Sequence, residues 1–420
     1  MMSYNYLATI CVILVSTKLL SLLTGRLQMP QVVGSLLAGL LLGPAVFNVL
    51  QPNNFLSQLA ELGVIVIMFS AGTGTSLQDL KNSGKSGLLV AMMGVLIPLG
   101  LGALLMGIFN PGESVLQNIF MGTVLTATSV SITVETLKEI GKLNTRVGNT
   151  ILAAALIDDV LGLICLTIVT SLAGAKVSIG VVLLKIVLFF VFVIVLGFIF
   201  NNCFTWYMNY LENQNLHRFP IAGFALCLFM AWAAEEIFGV ADIIGAFAAG
   251  VIVATTPKGS YIASKFAPLS YLLLTPIFFA NIGLKVTLPQ LSGKLVLFTV
   301  LLVVIGILSK LLGCGFGAKV SGFNNRQAVQ IGFGMACRGE VALITANKGM
   351  AMGLLNEEYF GPVIILIVCC AVFTPILLKV AFKNYTSTAQ DSTLVEHYEL
   401  SQAEIEGARA IRPKKVENKK

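Results

Sequence analysis

Charge is what this sequence has least of: 11% of its 420 residues are Asp, Glu, Lys or Arg, against roughly 25% in an ordinary soluble domain. With 56% of the chain hydrophobic, that scarcity excludes a water-facing globule and leaves a polytopic membrane protein. Paired cysteines are missing too. The eight cysteines fall in or beside apolar runs, with no CxxC and no zinc-like spacing, so they read as small buried hydrophobes rather than redox or metal centres. No phosphate-binding loop is present, so any work done must draw on ion gradients. The start of the chain lacks a basic segment followed by a small-residue cleavage site, and the first apolar run is expected to be retained. The net charge of +7 is scattered through short connections, where it sets topology; it forms no surface for nucleic acid.

What the sequence does have is a series of apolar runs. Thirteen spans are predicted, at 4–24, 29–50, 55–76, 87–109, 115–138, 146–172, 178–204, 216–236, 239–256, 266–286, 293–319, 326–348 and 359–382. Turn-forming stretches separate them, among them Gln51-Pro52-Asn53-Asn54, Asn110-Pro111-Gly112 and Ser321-Gly322-Phe323-Asn324-Asn325. Lys and Arg then divide by side. Arg26, Lys81, Lys85, Lys138, Lys142, Arg146, Arg218, Lys258, Lys265, Lys319 and Arg326 fall on one face with the basic tail. Glu113, Glu235, Glu236, Asp242, Glu357 and Glu358 fall on the other, with Lys176, Lys285, Lys294 and Lys348. The positive-inside tendency puts the N-terminus outside and the tail, 383–420, in the cytoplasm. The expected location is the inner membrane of a bacterial cell, in contact with its lipid.

An offset of 211 residues organises the spans further. PQVVGSLLAGLLLGP, with Gly34 and Gly39, recurs as ADIIGAFAAGVIVATTP, with Gly245 and Gly250; MFSAGTGTSL recurs as FFANIGLKVTL. The step carries span one onto span eight and span six onto span thirteen, an odd shift that inverts one half relative to the other. The expected layout is a transmembrane unit over 1–382, with repeat one at 4–172, a linker helix at 178–204 and repeat two at 216–382. Inverted repeats are a transporter design whose sites lie near the midplane at broken helices. Thr126-Ala127-Thr128-Ser129 interrupts span five, and the same step from Thr128 lands on Gly339, between Arg338 and Glu340. Two interrupted, crossing helices are therefore expected.

The chemistry falls on the few charges placed deep in these spans. Asp158 and Asp159 stand midway through a stretch that is otherwise uncharged from Val147 to Leu172, roughly 16–21 Å of helix from either end. Each costs an estimated ~2.5–3.5 kcal/mol at that depth if ionised and unpartnered. Lys310, in VVIGILSKLLGCGFG, must lose its proton or find an anion; pairing with one aspartate is the economical solution, and Arg338 is expected to take Glu340 or a nearby carbonyl. One lysine cannot neutralise two carboxylates. The surplus carboxylate can hold a proton or a small hard cation, and competition between them is exchange if the site faces each side in turn. Further oxygen ligands are available from Thr128, Ser129 and unwound carbonyls. Glu61, Glu235, Glu236 and Asp242 read as solvated helix ends near the outer face.

ALIDDVLGLI, the lysine of the eleventh span, TATSVS, FFANIGLKV and RGEVALI together resemble the cation:proton antiporter-2 superfamily, especially its NapA-type sodium/proton antiporters, along about 4–382. The resemblance implies an NhaA-like all-helical fold and a homodimer whose core domain moves like an elevator against a dimerisation domain. It implies that Asp159 carries Na+ (or Li+) and H+ in turn, that Asp158 forms an alternating salt bridge with Lys310, and that Thr128 and Ser129 sit at one crossover with Arg338 and Glu340 at the other. It also implies electrogenic exchange, with no cofactor and no enzymatic reaction. The chain departs from its relatives at Gly74-Thr75, where many carry an acidic residue.

Other functions fit less well. An intramembrane aspartyl protease needs facing aspartates on two helices, whereas neighbours on one helix point about 100° apart. A prenyltransferase would carry DDxxD, but Asp158-Asp159 is followed by Val-Leu-Gly. A K+/H+ antiporter of the same superfamily and a sodium-coupled symporter with the same inverted plan are the competing readings; the symporter would not need Lys310 and the paired aspartates.

Overall fold

Backbone amides cannot go unpaired in lipid, and an α-helix satisfies them within a single segment. The computed structural model describes residues 5–26, 29–112, 114–174, 179–210, 218–286 and 293–383, and no strand occurs among them. Glu113, Lys176 and the tail from 384 lie outside the described residues. In chain order the helices are α1 (Asn5–Arg26), α2 (Gln31–Leu42), α3 (Asn54–Thr73), α4 (Leu77–Phe109), α5 (Val115–Thr126), α6 (Val130–Glu139), α7 (Arg146–Leu172), α8 (Ile179–Tyr210), α9 (Arg218–Trp232), α10 (Asp242–Ala254), α11 (Gly259–Leu269), α12 (Thr275–Leu284), α13 (Gly293–Val320), α14 (Asn325–Gly334), α15 (Glu340–Ala351) and α16 (Glu357–Phe382). π-helical turns at Ala233–Phe238 and Ser270–Leu274 extend α9 and join α11 to α12.

Ten helical stretches among the described residues are long and apolar enough to cross a bilayer, counting α5 with α6 and α11 with α12 as one each. α2 and α10 are shorter, at 12 and 13 residues, and α14 and α15 have 10 and 12. The boundaries move for local reasons. The run predicted at 29–50 is helical only to Leu42, because Pro44 lacks an N–H and disfavours helical geometry at Gly43. α10 starts three residues later than its apolar run, since Gly239 turns left-handed at φ 64°. α4 starts ten residues before its apolar run, because the polar QDLKNSGKSG segment continues the helix beyond it.

The helices pack in two sets. α4, α5, α7, α13, α14 and α16 contact one another, as do α1, α2, α3, α9, α10 and α12. α8 touches α7 of one set and α10 of the other. Most of its surface faces outward, with Ile194 and Phe198 72% and 71% exposed, as a lipid-facing helix requires. The pairings are reciprocal: α2 lies on α12 and α10 on α3, while α4 contacts α5 and α7 as α13 contacts α14 and α16. Close backbone approach follows the same rule. A Cβ on Gly39 would strike the Ala280 carbonyl, and one on Gly250 would strike the Phe69 carbonyl; both residue pairs are related by the 211-residue step.

The two sets meet where α6 touches α2 and α3, and where α16 touches α2. There the Glu139 carboxylate, closing α6, accepts the Gln31 amide at 2.9 and 2.8 Å. That contact caps α2, whose N-cap residue Pro30 supplies no side-chain acceptor.

Candidate functional site

Both predicted interruptions are present. Residues 127–129 are non-helical between α5 and α6, and 336–339 between α14 and α15. Each broken span begins with a capping box, Ser114 with Gln117 and Asn324 with Gln327, so its entry is secured independently of the break. The two gaps cross and bond to each other. The Ser129 amide donates to the Cys337 carbonyl at 2.9 Å, and the Thr133 hydroxyl donates to the Gly334 carbonyl at 2.8 Å. Ser129 is fully buried and its hydroxyl lies 3.4 Å from that of Ser131; the Thr128 hydroxyl is 3.5 Å from the Met335 carbonyl. These hydroxyls and amides serve the backbone groups that the gaps set free.

Arg338 completes the crossing. Wholly buried, it donates from Nη2 to the Leu125 carbonyl at 2.7 Å and from Nη1 to the Ala336 carbonyl at 3.0 Å. Leu125 lies in the last turn of α5 and Ala336 just past the end of α14, so one guanidinium faces the negative ends of two half-helices. Of the two partners expected for Arg338, the carbonyls are the ones it takes; no ion pair joins it to Glu340 among the described residues. Glu340 instead opens α15, where the positive helix end favours a carboxylate, and its Oε2 has no hydrogen-bond partner.

Two long helices bring the remaining charges together. α7, capped by Thr145 through the Gly148 amide, carries the aspartates; α13 carries Lys310. Nζ of Lys310 donates to both oxygens of Asp158, at 2.7 and 2.9 Å, with the lysine fully buried. α4 makes room for the pair. A Cβ on Gly94 would stand 2.5 Å from Cys314 Sγ and 3.7 Å from both Asp158 Oδ1 and Lys310 Nζ. Asp159 takes no part in the pair, and its Oδ2 has no partner.

Beside the crossing lies a cavity of about 500 Å3. Of the charged residues singled out in the sequence, Asp158, Asp159, Glu340, Glu61, Glu235, Asp242 and Lys285 line it; Thr128, Ser129, Lys310 and Arg338 are not among its lining residues. The cavity separates the two helix sets on the side of Lys285, Glu235 and Asp242, opposite the Glu139–Gln31 contact. Sequence reasoning passed over Asn281 and Gly94. Asn281 was visible as a lone amide in the repeated FFANIGLKV segment; nothing in the local sequence distinguished Gly94 from the other glycines.

An unpartnered carboxylate on a cavity, beside a second carboxylate held by lysine, can take up a proton or a small cation. Comparison with known proteins points the same way. Residues 11–383 match the family described as sodium/hydrogen exchanger, transmembrane. The chain is 38% identical to the Na(+)/H(+)-K(+) antiporter GerN of Bacillus cereus over 394 residues, covering 94% of this chain and 99% of GerN. It is 34% identical to the Na(+)/H(+) antiporter of Enterococcus hirae, covering 89% of this chain and 97% of that protein. The solved sodium proton antiporter MjNhaP1 of Methanocaldococcus jannaschii superposes with a TM-score of 0.65 at 16% identity, covering 90% of this chain and 96% of that one, a likeness of fold. The chain is thus a multi-pass membrane protein belonging to the sodium/hydrogen exchanger family of cation:proton antiporters.

Proposed function

We propose that the chain exchanges Na+ or Li+ for H+ across the membrane, with Asp159 as the group that carries each in turn. The observation behind this is the division of labour between the aspartates: Lys310 is committed to Asp158 at 2.7 Å, while Asp159 faces the cavity with an oxygen unpartnered. A site with room for one positive charge binds proton or cation in competition. Glu340 supplies a further oxygen from the cavity wall, and Thr128, Ser129 and Arg338 build the crossing from which α15 starts with Glu340.

Alternating access of the elevator type has support in the packing. In this reading the helix set bearing the carboxylates moves against the other set, α8 links them, and the cavity marks the open side. The reciprocal contacts and the 211-residue step support two inverted six-helix repeats, thirteen spans in all when the short and broken helices are included. The transmembrane unit then runs over 1–382. Lys and Arg distribution supports an external N-terminus and a cytoplasmic tail from 383 in a bacterial inner membrane, so the cavity opens outward. The exchange is electrogenic, and the protein works as a homodimer. Potassium is the second reading, favoured by the name of the 38%-identical GerN, a Na(+)/H(+)-K(+) antiporter.

Proton movement in proteoliposomes, driven by Li+, Na+ or K+ with the membrane potential clamped or free, tests this directly. Asp159→Asn is expected to abolish cation-dependent proton movement while its melting temperature stays at or above that of the parent. Exchange with unchanged cation affinity in that variant rules out Asp159 as the carrier.

A further inference from the structure

We propose that Asn281 is a cation ligand supplied from the helix set opposite the aspartates, and that its amide oxygen tunes which monovalent ion the site accepts; this rests on the exchanger reading above. α12 turns Phe278, Asn281, Ile282 and Lys285 to the cavity, the spacing of one helical face. The adjoining face does the packing: Ala280 and Gly283 lie against the backbone of Gly39 and Leu36 in α2. Asn281 is therefore not a packing residue of that contact. Its side chain is 4% exposed, and its Oδ1 accepts no hydrogen bond. Lys285, one turn further on and also on the cavity lining, does not supply one either.

Buried acceptors normally have donors, and an orphan calls for an explanation. Here the other orphan oxygens on the same cavity are Asp159 Oδ2 and Glu340 Oε2. Three unmet oxygens, one neutral and two acidic, line this one cavity among the described residues, and oxygens are what a dehydrating hard cation needs and a proton does not. Because the neutral oxygen comes from the opposite set of helices, it is available only while the carboxylates face this cavity. It therefore contributes to capture of the ion from this side. Selectivity in such a site depends on the number and field strength of its oxygens.

Apparent KM for Li+, Na+ and K+ in proteoliposomes, together with cation-induced shifts in melting temperature in detergent, tests the proposal. Asn281→Leu removes the oxygen at similar volume. It is expected to raise KM for the preferred ion about tenfold and to diminish that ion's melting shift, with kcat little changed. Asn281→Asp raises the field strength and is expected to shift preference toward Li+ over K+. Should the Leu variant not fold, the Asp variant decides. Wild-type KM and melting shifts in the Leu variant, or an unaltered ion order in the Asp variant, overturn the role of Asn281 alone. A parent protein that moves no protons with any of the three ions and shows no cation-induced melting shift overturns the exchanger reading with it.

Discussion

Lys310 and Asp158 form a closed electrostatic unit whose removal is asymmetric. Stripping one partner leaves the other as an uncompensated buried charge, at a cost of about 3–5 kcal/mol. Lys310→Ala is therefore expected to lower the melting temperature sharply. The double variant Lys310→Met with Asp158→Asn strands no charge and is expected to recover most of that loss; a double variant as unstable as the single one would refute the pairing as the source of the effect. The same site explains a glycine. Gly94 borders the pair on one side and Cys314 on another, the latter one helical turn from Lys310. Asp159 differs from its neighbour in direction around the helix: a rotation of about 100° brings Asp158 to the lysine and leaves an Asp159 oxygen without a partner.

The broken helices depend on Arg338 as an element-level fastener. Two bonds, to Leu125 and Ala336, join the end of α5 to the gap after α14. Arg338→Leu leaves both carbonyls buried without donors, at about 1–3 kcal/mol each, and is expected to reduce stability and transport together. Arg338→Lys keeps the charge but not the planar fork, so it is expected to rescue only part of the stability. Thermal unfolding of the two variants separates charge from geometry, and equal loss in both would identify the fork as the essential feature. At the other junction, Glu139 supplies α2 with the acceptor that Pro30 lacks. Glu139→Gln retains an oxygen but loses the charge at a positive helix end, with an expected stability loss of about 0.3–1 kcal/mol, read as a small fall in melting temperature. No fall would mean that the exposed carboxylate contributes nothing to α2.

For the whole molecule, the proposed competition at Asp159 predicts a pH dependence. Protons and cations exclude each other, so acidification is expected to raise the apparent KM for the cation by up to about tenfold per pH unit, with the maximal rate unaffected by this effect alone. Initial rates across pH at saturating and limiting cation distinguish this from a pH switch elsewhere, which would lower the maximal rate at fixed KM. Two helix sets that touch through α6 and α16 on one side, and are parted by a cavity of about 500 Å3 on the other, are the arrangement on which the proposed alternating access rests.

Much of this was legible before any coordinates. Apolar runs of span length, the two midplane acids, the buried lysine and the matching interruptions at Thr128 and Gly339 all follow from local composition and a repeat, because lipid penalises every unpaired charge and amide whatever the surrounding fold. Helix ends were less legible where Pro44, Gly239 or a polar overhang at Leu77 moved them by eight, three and ten residues. Contacts between distant segments were legible only as alternatives: the residues left Lys310 either aspartate, with the family resemblance alone naming Asp158, and left Arg338 either Glu340 or a carbonyl. That Lys310 takes Asp158 rather than Asp159, that Arg338 serves carbonyls of α5 rather than Glu340, and that Asn281 faces the aspartates across a cavity were all decided by packing. The chain itself determined which groups must find partners in oil; only the tertiary structure, by setting helix rotation and approach, decided which partners they found and which oxygens were left without one.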